Sequence, residues 1–393
     1  MKVFILTKEP FPIGMAATNR ITNYARGLLA NGVDCEVIVC NRTERYGIER
    51  NLQAYGITSS GVPFRYIPPT TQRSARFIGR RIHDFKDDFV VAKWIKHNVA
   101  NGDYILYYNI HLVHMRQIIR VCHQNNIKIV RELCEYPFGT QDDSIKSKVN
   151  RWLYERFIMP KFDGFIAISE SLQKYAEEKG SAYAKIIKVP ILIDKNQYEG
   201  VEPYTQEHPY IFHAGTMYER KDAIVSTMKA FAKANEVLAG NVEFILAGPE
   251  SPHKAELDAI ISENHLDNIV HFICQLNHND VLSYQKGAWL TILNKHDNVQ
   301  NRNGFSTKLG DVLLAGTPVI TTTVGEANNW LKDEESALIT EPHNIDAIAQ
   351  QIINAYQNPE LLSRISVACE QVTRNNFDFR IQGERLKEYF EIH

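Results

Sequence analysis

Residues 1–40, MKVFILTKEPFPIGMAATNRITNYARGLLANGVDCEVIVC, hold two strand-like runs separated by a helix-like run. The strand-like runs, VFIL at 3–6 and CEVIVC at 35–40, are rich in the β-branched and aromatic residues that strands favour. Between them apolar residues recur at helical spacing, and Gly32 stands where a helix would stop. The pattern predicts a strand, a loop, a helix and a second strand, which together form the first unit of a Rossmann-like sheet.

The same alternation runs along most of the chain. Further strand-like runs lie at 104–108, 127–130, 164–168 and 185–193, and then at 210–214, 242–247, 269–273, 289–293, 318–323 and 337–339. A polar, proline-containing stretch at 198–209 interrupts the pattern and predicts a linker. We therefore predict an α/β protein with two doubly wound domains, residues 1–198 and 199–375, followed by helical residues 376–393.

The composition excludes several classes of protein. The chain has 393 residues, and its 44 basic and 46 acidic side chains give a net charge of −2, so we expect no nucleic-acid partner. No apolar run approaches the roughly 18 residues of a membrane-spanning helix. The six cysteines show neither a CxxC pair nor zinc-ligand spacing, which favours reduced thiols and a cytoplasmic protein.

The first candidate binding loop follows the first strand, at residues 7–20. Ligands of doubly wound sheets bind beyond the carboxyl ends of the strands. Gly14 leaves room in this loop, and the helix that follows offers free N–H groups to a phosphate or sugar oxygen. The alternative is a glycine that serves only the turn, because no G-x-G-x-x-G motif is present.

The second candidate loop, HAGTMYERKD at 213–222, closes the first strand of the second domain. Gly215 lets the backbone turn, and Arg220 and Lys221 bring two cations ahead of a helix. Such a pair suits a diphosphate. The alternative is a solvated basic pair.

The third candidate loop lies in NRNGFSTKLGDVLLAGTPVI at 301–320, where a polar loop leads into a short helix. Ser306 is expected as the N-cap of that helix, which leaves free N–H groups beside Lys308. A cation is unfavourable at a helix N-terminus unless an anion also lies there, so this position predicts a bound anion. Asp311, one turn further on, is expected to accept hydrogen bonds from ribose hydroxyls, and an ion pair with Lys308 is the alternative.

These segments together resemble a known family. The order of HAGTMYERKD, FILAGPE, HFICQL and GFSTKLGDVLLAGTPVITT is similar to the C-terminal domain of family-4 glycosyltransferases of the GT-B fold. PIGMAATNRITNYARGLLANG and YERFIMPKFDGFIAISESL resemble the N-terminal domain. The resemblance implies two Rossmann-like domains facing each other across a cleft, with a nucleotide-diphosphate sugar mostly against the second. It also implies that a last helix, residues 376–390, crosses back onto the first domain.

The resemblance assigns the phosphate-binding residues. Lys221 matches the family lysine on the donor diphosphate. Thr216 stands where many members have an arginine, so Arg220 is expected to supply the missing charge. The paired glutamates of the family fall on Asn303 and Asp311, of which only Asp311 keeps a carboxylate, for the ribose.

The resemblance also assigns the contacts of the donor sugar and the base. The loop that faces the diphosphate and the sugar is formed by Gly304, Phe305, Ser306 and Thr307 together with Asn303. The base is expected against the loop from Cys274 to Leu276.

The first domain departs from the family pattern. Many members carry a histidine after the strand that corresponds to IKIVREL, whereas this sequence has Cys134 and Glu135. Glu135 or His111 is expected to face the sugar, and these two residues with Asn303 are the candidate catalytic residues. An ordinary core or loop histidine is the alternative for His111.

The family implies retention of configuration, with the leaving phosphate as the acceptor of the proton. No D-x-D sequence occurs, so we expect a metal-independent reaction without a cofactor other than the substrate, a UDP or GDP sugar.

The predicted function is a retaining, nucleotide-sugar-dependent glycosyltransferase that acts on a glycan or lipid-linked acceptor in surface polysaccharide synthesis. A nucleotide-sugar epimerase of the same fold and a catalytically silent partner subunit that binds nucleotide sugar are the alternatives.

Residues 73–97 interleave basic and aromatic side chains, among them Arg76, Arg80 and Arg81. Such a segment is expected to touch an anionic membrane surface at the inner face of the cell membrane. The alternative is a packed helix with a solvated basic face.

Overall fold

The computed structural model describes residues 1–108, 112–137, 144–273 and 275–392. Its contacts divide the chain into two compact units, Met1–Leu192 with Phe379–His393, and Ile193–Asp378. The sequence places the first boundary after residue 198 and the second after residue 375, six and three residues from these limits.

The described residues of the first unit form one sheet of eight strands. They are β1 (Lys2–Thr7), β2 (Asp34–Val39), β3 (Tyr55–Ile57), β4 (Pro63–Tyr66), β5 (Tyr104–Tyr107), β6 (Lys128–Leu133), β7 (Gly164–Ala167) and β8 (Lys185–Lys188). The strand order is β3-β4-β2-β1-β5-β6-β7-β8, and every pair is parallel except β3 with β4. The sequence analysis missed β3 and β4, because runs of three and four residues are too short for a periodic pattern to develop.

In the described part of this unit, six α-helices accompany the sheet. They are α1 (Ala16–Ala30), α2 (Phe77–Asn98), α3 (Leu112–Gln124), α4 (Ile145–Phe157), α5 (Glu170–Lys179) and, from the end of the chain, α14 (Phe379–Ile392). Helix α1 buries the predicted apolar stripe, Ile21, Tyr24, Ala25 and Leu28. It packs against α14 where Gly27 meets Gly383, since a Cβ on Gly383 would lie 2.2 Å from the carbonyl oxygen of Gly27. The last helix therefore belongs to the first unit.

Six parallel strands lie in the part of the second unit that the structure describes. They are β9 (Tyr210–Ala214), β10 (Glu243–Ala247), β11 (Val270–Ile273), β12 (Thr291–Leu293), β13 (Val319–Thr322) and β14 (Leu338–Thr340). They form the triplets β11-β10-β9 and β12-β13-β14, which a bridge between Ile211 and Leu290 joins. Each strand predicted here is present within two residues of its expected ends.

Among the described residues of the second unit there are eight α-helices. They are α6 (Glu219–Asp222), α7 (Ile224–Leu238), α8 (Lys254–Glu263), α9 (His278–Gly287), α10 (Val299–Asn303), α11 (Thr307–Leu314), α12 (Ile345–Gln357) and α13 (Pro359–Asn376). Because β9 and β12 are neighbours and parallel, the loops that follow them emerge at the same edge of the sheet. Within the described parts of the chain, no helix combines the length and the apolar character needed to cross a membrane.

Candidate functional site

A charged cluster lies at the edge where β9 and β12 end. Its centre is the carboxylate of Asp222, whose side chain is 2% exposed. The Nζ atoms of Lys295 and Lys308 both lie 3.1 Å from the same oxygen, Asp222 Oδ1. The lysine side chains are 14% and 30% exposed, respectively. Two ammonium groups therefore share one buried carboxylate.

The electrostatics of this cluster are unbalanced. Burial raises the pKa of Asp222, but the charges of Lys308 and Lys295 outweigh burial and hold that pKa well below its usual range. Burial and the neighbouring charge of Lys295 lower the pKa of Lys308 to about 8, against the opposing effect of Asp222. Lys221, which is exposed, also lowers the pKa of Lys308. The site carries more positive than negative charge and suits a ligand with several negative charges.

His213, the fourth residue of β9, borders the cluster without adding charge to it. Its side chain is buried, and Nε2 has no hydrogen-bond partner among the described residues. Burial and the charge of Lys308 lower the pKa of His213 to about 3. The imidazole is therefore neutral at physiological pH.

Gly215 leaves the space that Lys308 occupies. A Cβ on Gly215 would lie 2.1 Å from Lys308 Nζ, so any other residue would displace the ammonium. The neighbouring Thr216 donates from Oγ1 to Asp222 Oδ2 at 3.4 Å. Thr216 thus contributes a hydrogen bond to the central carboxylate.

The N-terminus of α11 points to the same chemistry. Ser306 is the N-cap, as predicted, but its side chain makes no capping hydrogen bond. Lys308 lies in the first turn, where a cation is unfavourable. Asp222 is the anion that partly resolves this conflict, since it neutralises one of the two lysines. The second positive charge still favours an external anion.

The predicted ribose ligand has a different partner from the one considered in the sequence. Asp311 Oδ1 accepts a hydrogen bond from Gln197 Nε2 at 2.8 Å, whereas the carboxylate that Lys308 contacts is Asp222. Burial raises the pKa of Asp311. The ion pair between Lys308 and Asp311 is therefore wrong as an alternative, and the role in ribose binding stays a prediction.

Several predicted side chains are held by the second unit itself. Asn303 donates from Nδ2 to the carbonyl of Val299 at 2.8 Å. Phe305 is buried, with its ring 5.5 Å from that of Phe377, so its expected contact with the ligand rests on its backbone. Leu276 is half-buried against an apolar cluster around Tyr210.

The remaining predicted residues of this unit are Gly304, Thr307 and Arg220. Gly304 accepts a hydrogen bond at its carbonyl from the backbone N–H of Glu326, and Thr307 is the first residue of α11. Arg220 is exposed, and its carbonyl accepts from Asn298 Nδ2 at 3.0 Å.

Three predicted site residues, Gly14, Glu135 and His111, belong to the first unit. A Cβ on Gly14 would lie 1.8 Å from Thr18 Oγ1, so the loop itself requires a glycine there. Glu135 is exposed. Burial, and to a smaller extent the charge of Glu135, raises the pKa of Glu9 in the loop after β1. His111 and Cys274 lie outside the described residues.

Asp222 and Lys295 were not identified as site residues from the sequence. Lys295 follows β12 by two residues, and a polar residue at the carboxyl end of a parallel strand was the signal that could have found it. Asp222 stands beside Lys221 in the sequence, but nothing local indicates that it meets Lys308. No group of three His, Cys, Asp or Glu side chains suited to a metal ion occurs within the described ranges.

One protein family and several solved structures are similar to this chain. The family model of the glycosyl transferases group 1 matches residues 194–371, a range that includes the Asp222 cluster. The predicted resemblance to these enzymes is confirmed over that range. No curated protein matches the chain.

The solved structures share the fold over nearly the whole chain. Sucrose-phosphate synthase from Thermosynechococcus elongatus has a TM-score of 0.74 and 14% identity, over 99% of this chain and 98% of its own. HepE from Anabaena, in complex with UDP, has a TM-score of 0.72 and 14% identity over 100% of both chains. Trehalose 6-phosphate synthase from Burkholderia multivorans has a TM-score of 0.71 and 10% identity, over 99% and 96%. The predicted fold class, GT-B, is confirmed.

Proposed function

We propose that this chain, a glycosyltransferase whose residues 194–371 match the family model of the glycosyl transferases group 1, moves a sugar from a nucleoside-diphosphate sugar to a glycan or lipid-linked acceptor. The observation that carries the proposal is the pair of lysines on Asp222. Asp222 balances only one of the two ammonium groups, and a diphosphate would supply the negative partner for the other. Among similar structures, HepE was solved in complexes with UDP and with UDP-glucose, which supports a UDP sugar as the first donor to test.

The reaction we propose retains the configuration of the sugar. The acceptor oxygen forms a bond to the anomeric carbon, the bond from that carbon to the diphosphate breaks, and the proton of the acceptor passes to the leaving phosphate. Lys308 and Lys221 then stabilise the charge that develops on the departing diphosphate, and Asp311 binds the ribose. This scheme needs neither a protein base nor a metal ion.

We further propose that the enzyme acts in the cytoplasm, in the synthesis of a surface polysaccharide. Its acceptor side includes the basic face of α2, where Phe77 and Ile78 are exposed and Arg80 and Arg81 lie over the Phe77 ring. An exposed basic and apolar face supports contact with an anionic membrane and with a lipid-linked acceptor.

Calorimetric titration with UDP tests the donor site. Each of Lys308→Ala and Lys221→Ala removes a charge-assisted contact worth about 1.5 to 3 kcal/mol, so the affinity for UDP is expected to fall about 10- to 150-fold. Lys229→Ala is the matched control, because this exposed lysine of the same unit pairs with Glu256 instead. Unchanged affinity in both site variants would contradict the assignment.

Incubation with a panel of UDP and GDP sugars tests the reaction. Transfer to an acceptor, or slow donor hydrolysis, supports the proposal. Conversion of the donor into an isomer would identify an epimerase. Binding without turnover would identify a silent subunit, the outcome that Asn303 in place of a glutamate would explain.

A further inference from the structure

The loop that follows β12 holds helix α6 in place. Helix α6 (Glu219–Asp222) carries Lys221, the lysine proposed to bind the donor diphosphate, and four residues are too few for a helix that is stable by itself. Lys295 Nζ donates to the carbonyl of Lys221 at 2.8 Å, and Asn298 Nδ2 donates to the carbonyl of Arg220 at 3.0 Å. Both donors lie after β12, so this loop fixes the backbone that presents Lys221.

His296 of the same loop anchors the first residue of α6. Its Nε2 lies 2.7 Å from Glu219 Oε1, and the two side chains are 16% and 26% exposed. Glu219 also accepts hydrogen bonds in the first turn of α7, from the backbone N–H of Val225 at 2.6 Å and from Ser226 Oγ at 2.6 Å. Burial raises the pKa of Glu219, but the hydrogen bonds from Ser226 and His296 help to outweigh burial and lower that pKa. Because the ionised carboxylate can only accept, His296 Nε2 is the donor of this pair.

His343, in the loop after β14, packs on the face of the His296 ring. The two imidazole rings are stacked, with their centroids 4.5 Å apart and an angle of 6° between their planes. His343 Nε2 accepts a hydrogen bond from the backbone N–H of Asp297 at 3.2 Å. The backbone of His343 is in the left-handed region, with φ at 61°, a strained conformation that the surrounding contacts must hold. The His296 ring is therefore fixed between Glu219 and His343.

We propose that His296 is a positioning residue of the donor site. It acts through Glu219, which it holds so that α6 presents Lys221 to the diphosphate, and it need not touch the donor itself. His343 keeps the His296 ring in the required orientation. This role rests on the proposed function, because its effect is on the affinity for a nucleoside diphosphate.

Calorimetric titration of the full chain with UDP tests this role. His296→Ala is expected to lower the affinity for UDP about tenfold, because α6 loses the contact that orients it. His296→Gln should recover most of this loss, since the amide of glutamine can reach the position of Nε2 and donate to Glu219. His296→Asn should recover little, because its shorter side chain places the amide near the position of Nδ1 instead.

A double-mutant cycle shows whether His296 acts through α6. If it does, the variant with both His296→Ala and Lys221→Ala should bind UDP nearly as weakly as Lys221→Ala alone. Losses that multiply would overturn the proposal, because His296 would then act independently of Lys221. So would wild-type affinity in His296→Ala, which is the result expected if the pair with Glu219 serves only stability, provided that urea unfolding shows the variant to be folded.

His343→Gly tests the same network in a variant that is expected to fold. Glycine adopts a φ of 61° without strain, so urea unfolding should change little. The stacking partner of His296 is lost, so the affinity for UDP is expected to fall about threefold. Unchanged affinity would overturn the supporting role of His343.

Two further variants serve as controls. His271→Ala removes another histidine–carboxylate pair of the second unit, in which Nε2 lies 2.9 Å from Oε2 of Glu243, and it should leave UDP affinity unchanged. Glu243 is the first residue of β10, at the opposite edge of the sheet from α6. Unchanged affinity in Lys221→Ala would overturn the diphosphate assignment, whereas a loss there with none in His296→Ala would overturn the positioning role alone.

Discussion

Both units bury charged side chains, but the two clusters differ in their access to solvent. In the first unit, Arg20 and Glu132 are 3% and 1% exposed and pair one to one, with Nε and Oε1 2.9 Å apart. The remaining Arg20 nitrogens donate to the carbonyls of Pro190 and Val189 and to the hydroxyl of Tyr24. In the second unit, two lysines share the single carboxylate of Asp222, and both side chains reach partial exposure.

The difference separates a structural ion pair from a candidate binding site. The Arg20–Glu132 pair and its buried neighbour Arg131 are closed off from solvent, so a ligand has no access to them. A cluster with surplus positive charge and an opening to solvent gains stability when an anion completes it. Surplus positive charge that solvent can reach therefore indicates the candidate ligand site.

The largest expected effect is a loss of stability when the Arg20–Glu132 pair is broken. Arg20→Ala leaves Glu132 buried without its cation, and we expect a loss of about 3 to 5 kcal/mol in the free energy of unfolding, measured with urea. Arg120→Ala, an exposed position on α3, should change it by less than about 0.5 kcal/mol.

Replacement of both partners sharpens this test. Arg20→Met with Glu132→Leu removes the two charges together and should restore most of the lost stability. UDP affinity should remain that of the wild type in each variant that folds. If Arg20→Ala folded normally and lost UDP binding, the first unit would hold a ligand site and the comparison would fail.

A smaller loss is expected for the unbalanced cluster. Asp222→Asn leaves Lys295 and Lys308 without their shared carboxylate, and we expect the free protein to lose about 2 to 3 kcal/mol in urea unfolding, less than a fully buried pair would. Saturating UDP should recover part of this loss, because the diphosphate replaces the missing charge. Asp258→Asn, at an exposed pair with Lys254, is the control and should have little effect. Equal destabilisation with and without UDP would show that the nucleotide binds elsewhere.

The smallest effect concerns pH. The pKa of Lys308 is about 8, so this ammonium loses its proton, and its attraction for a diphosphate, as the pH rises through that value. Affinity for UDP should fall by up to about tenfold for each pH unit above 8 in calorimetric titrations. Lys308→Arg keeps a guanidinium that stays charged, so its profile should be flat over the same range. A wild-type profile as flat as that of the variant would exclude Lys308 from the diphosphate.

The order of strands and helices, the buried stripe of α1 and the N-cap at Ser306 follow from the sequence alone, because each depends on spacing between near neighbours. The cation at the start of α11 likewise indicates an anion from local sequence, since the helix end and the lysine are adjacent along the chain. The sequence could not name Asp222 as the partner of Lys308, because the two residues are 86 positions apart and meet only where parallel strands end together. The sequence also did not predict strands β3 and β4, because three and four residues are too few to show a periodic pattern.

The sequence also could not predict which side of helix α4 is exposed. Apolar residues at helical spacing indicate an apolar face, but that spacing is identical whether the face meets a core or solvent. The contacts of Tyr154 and Glu155 with the rest of the first unit decide which side is covered. The sequence determined that this protein has two α/β units, and it predicts a phosphate-binding loop. Only the tertiary structure decided which charges meet and which apolar face stays exposed, because both depend on residues that are distant along the chain.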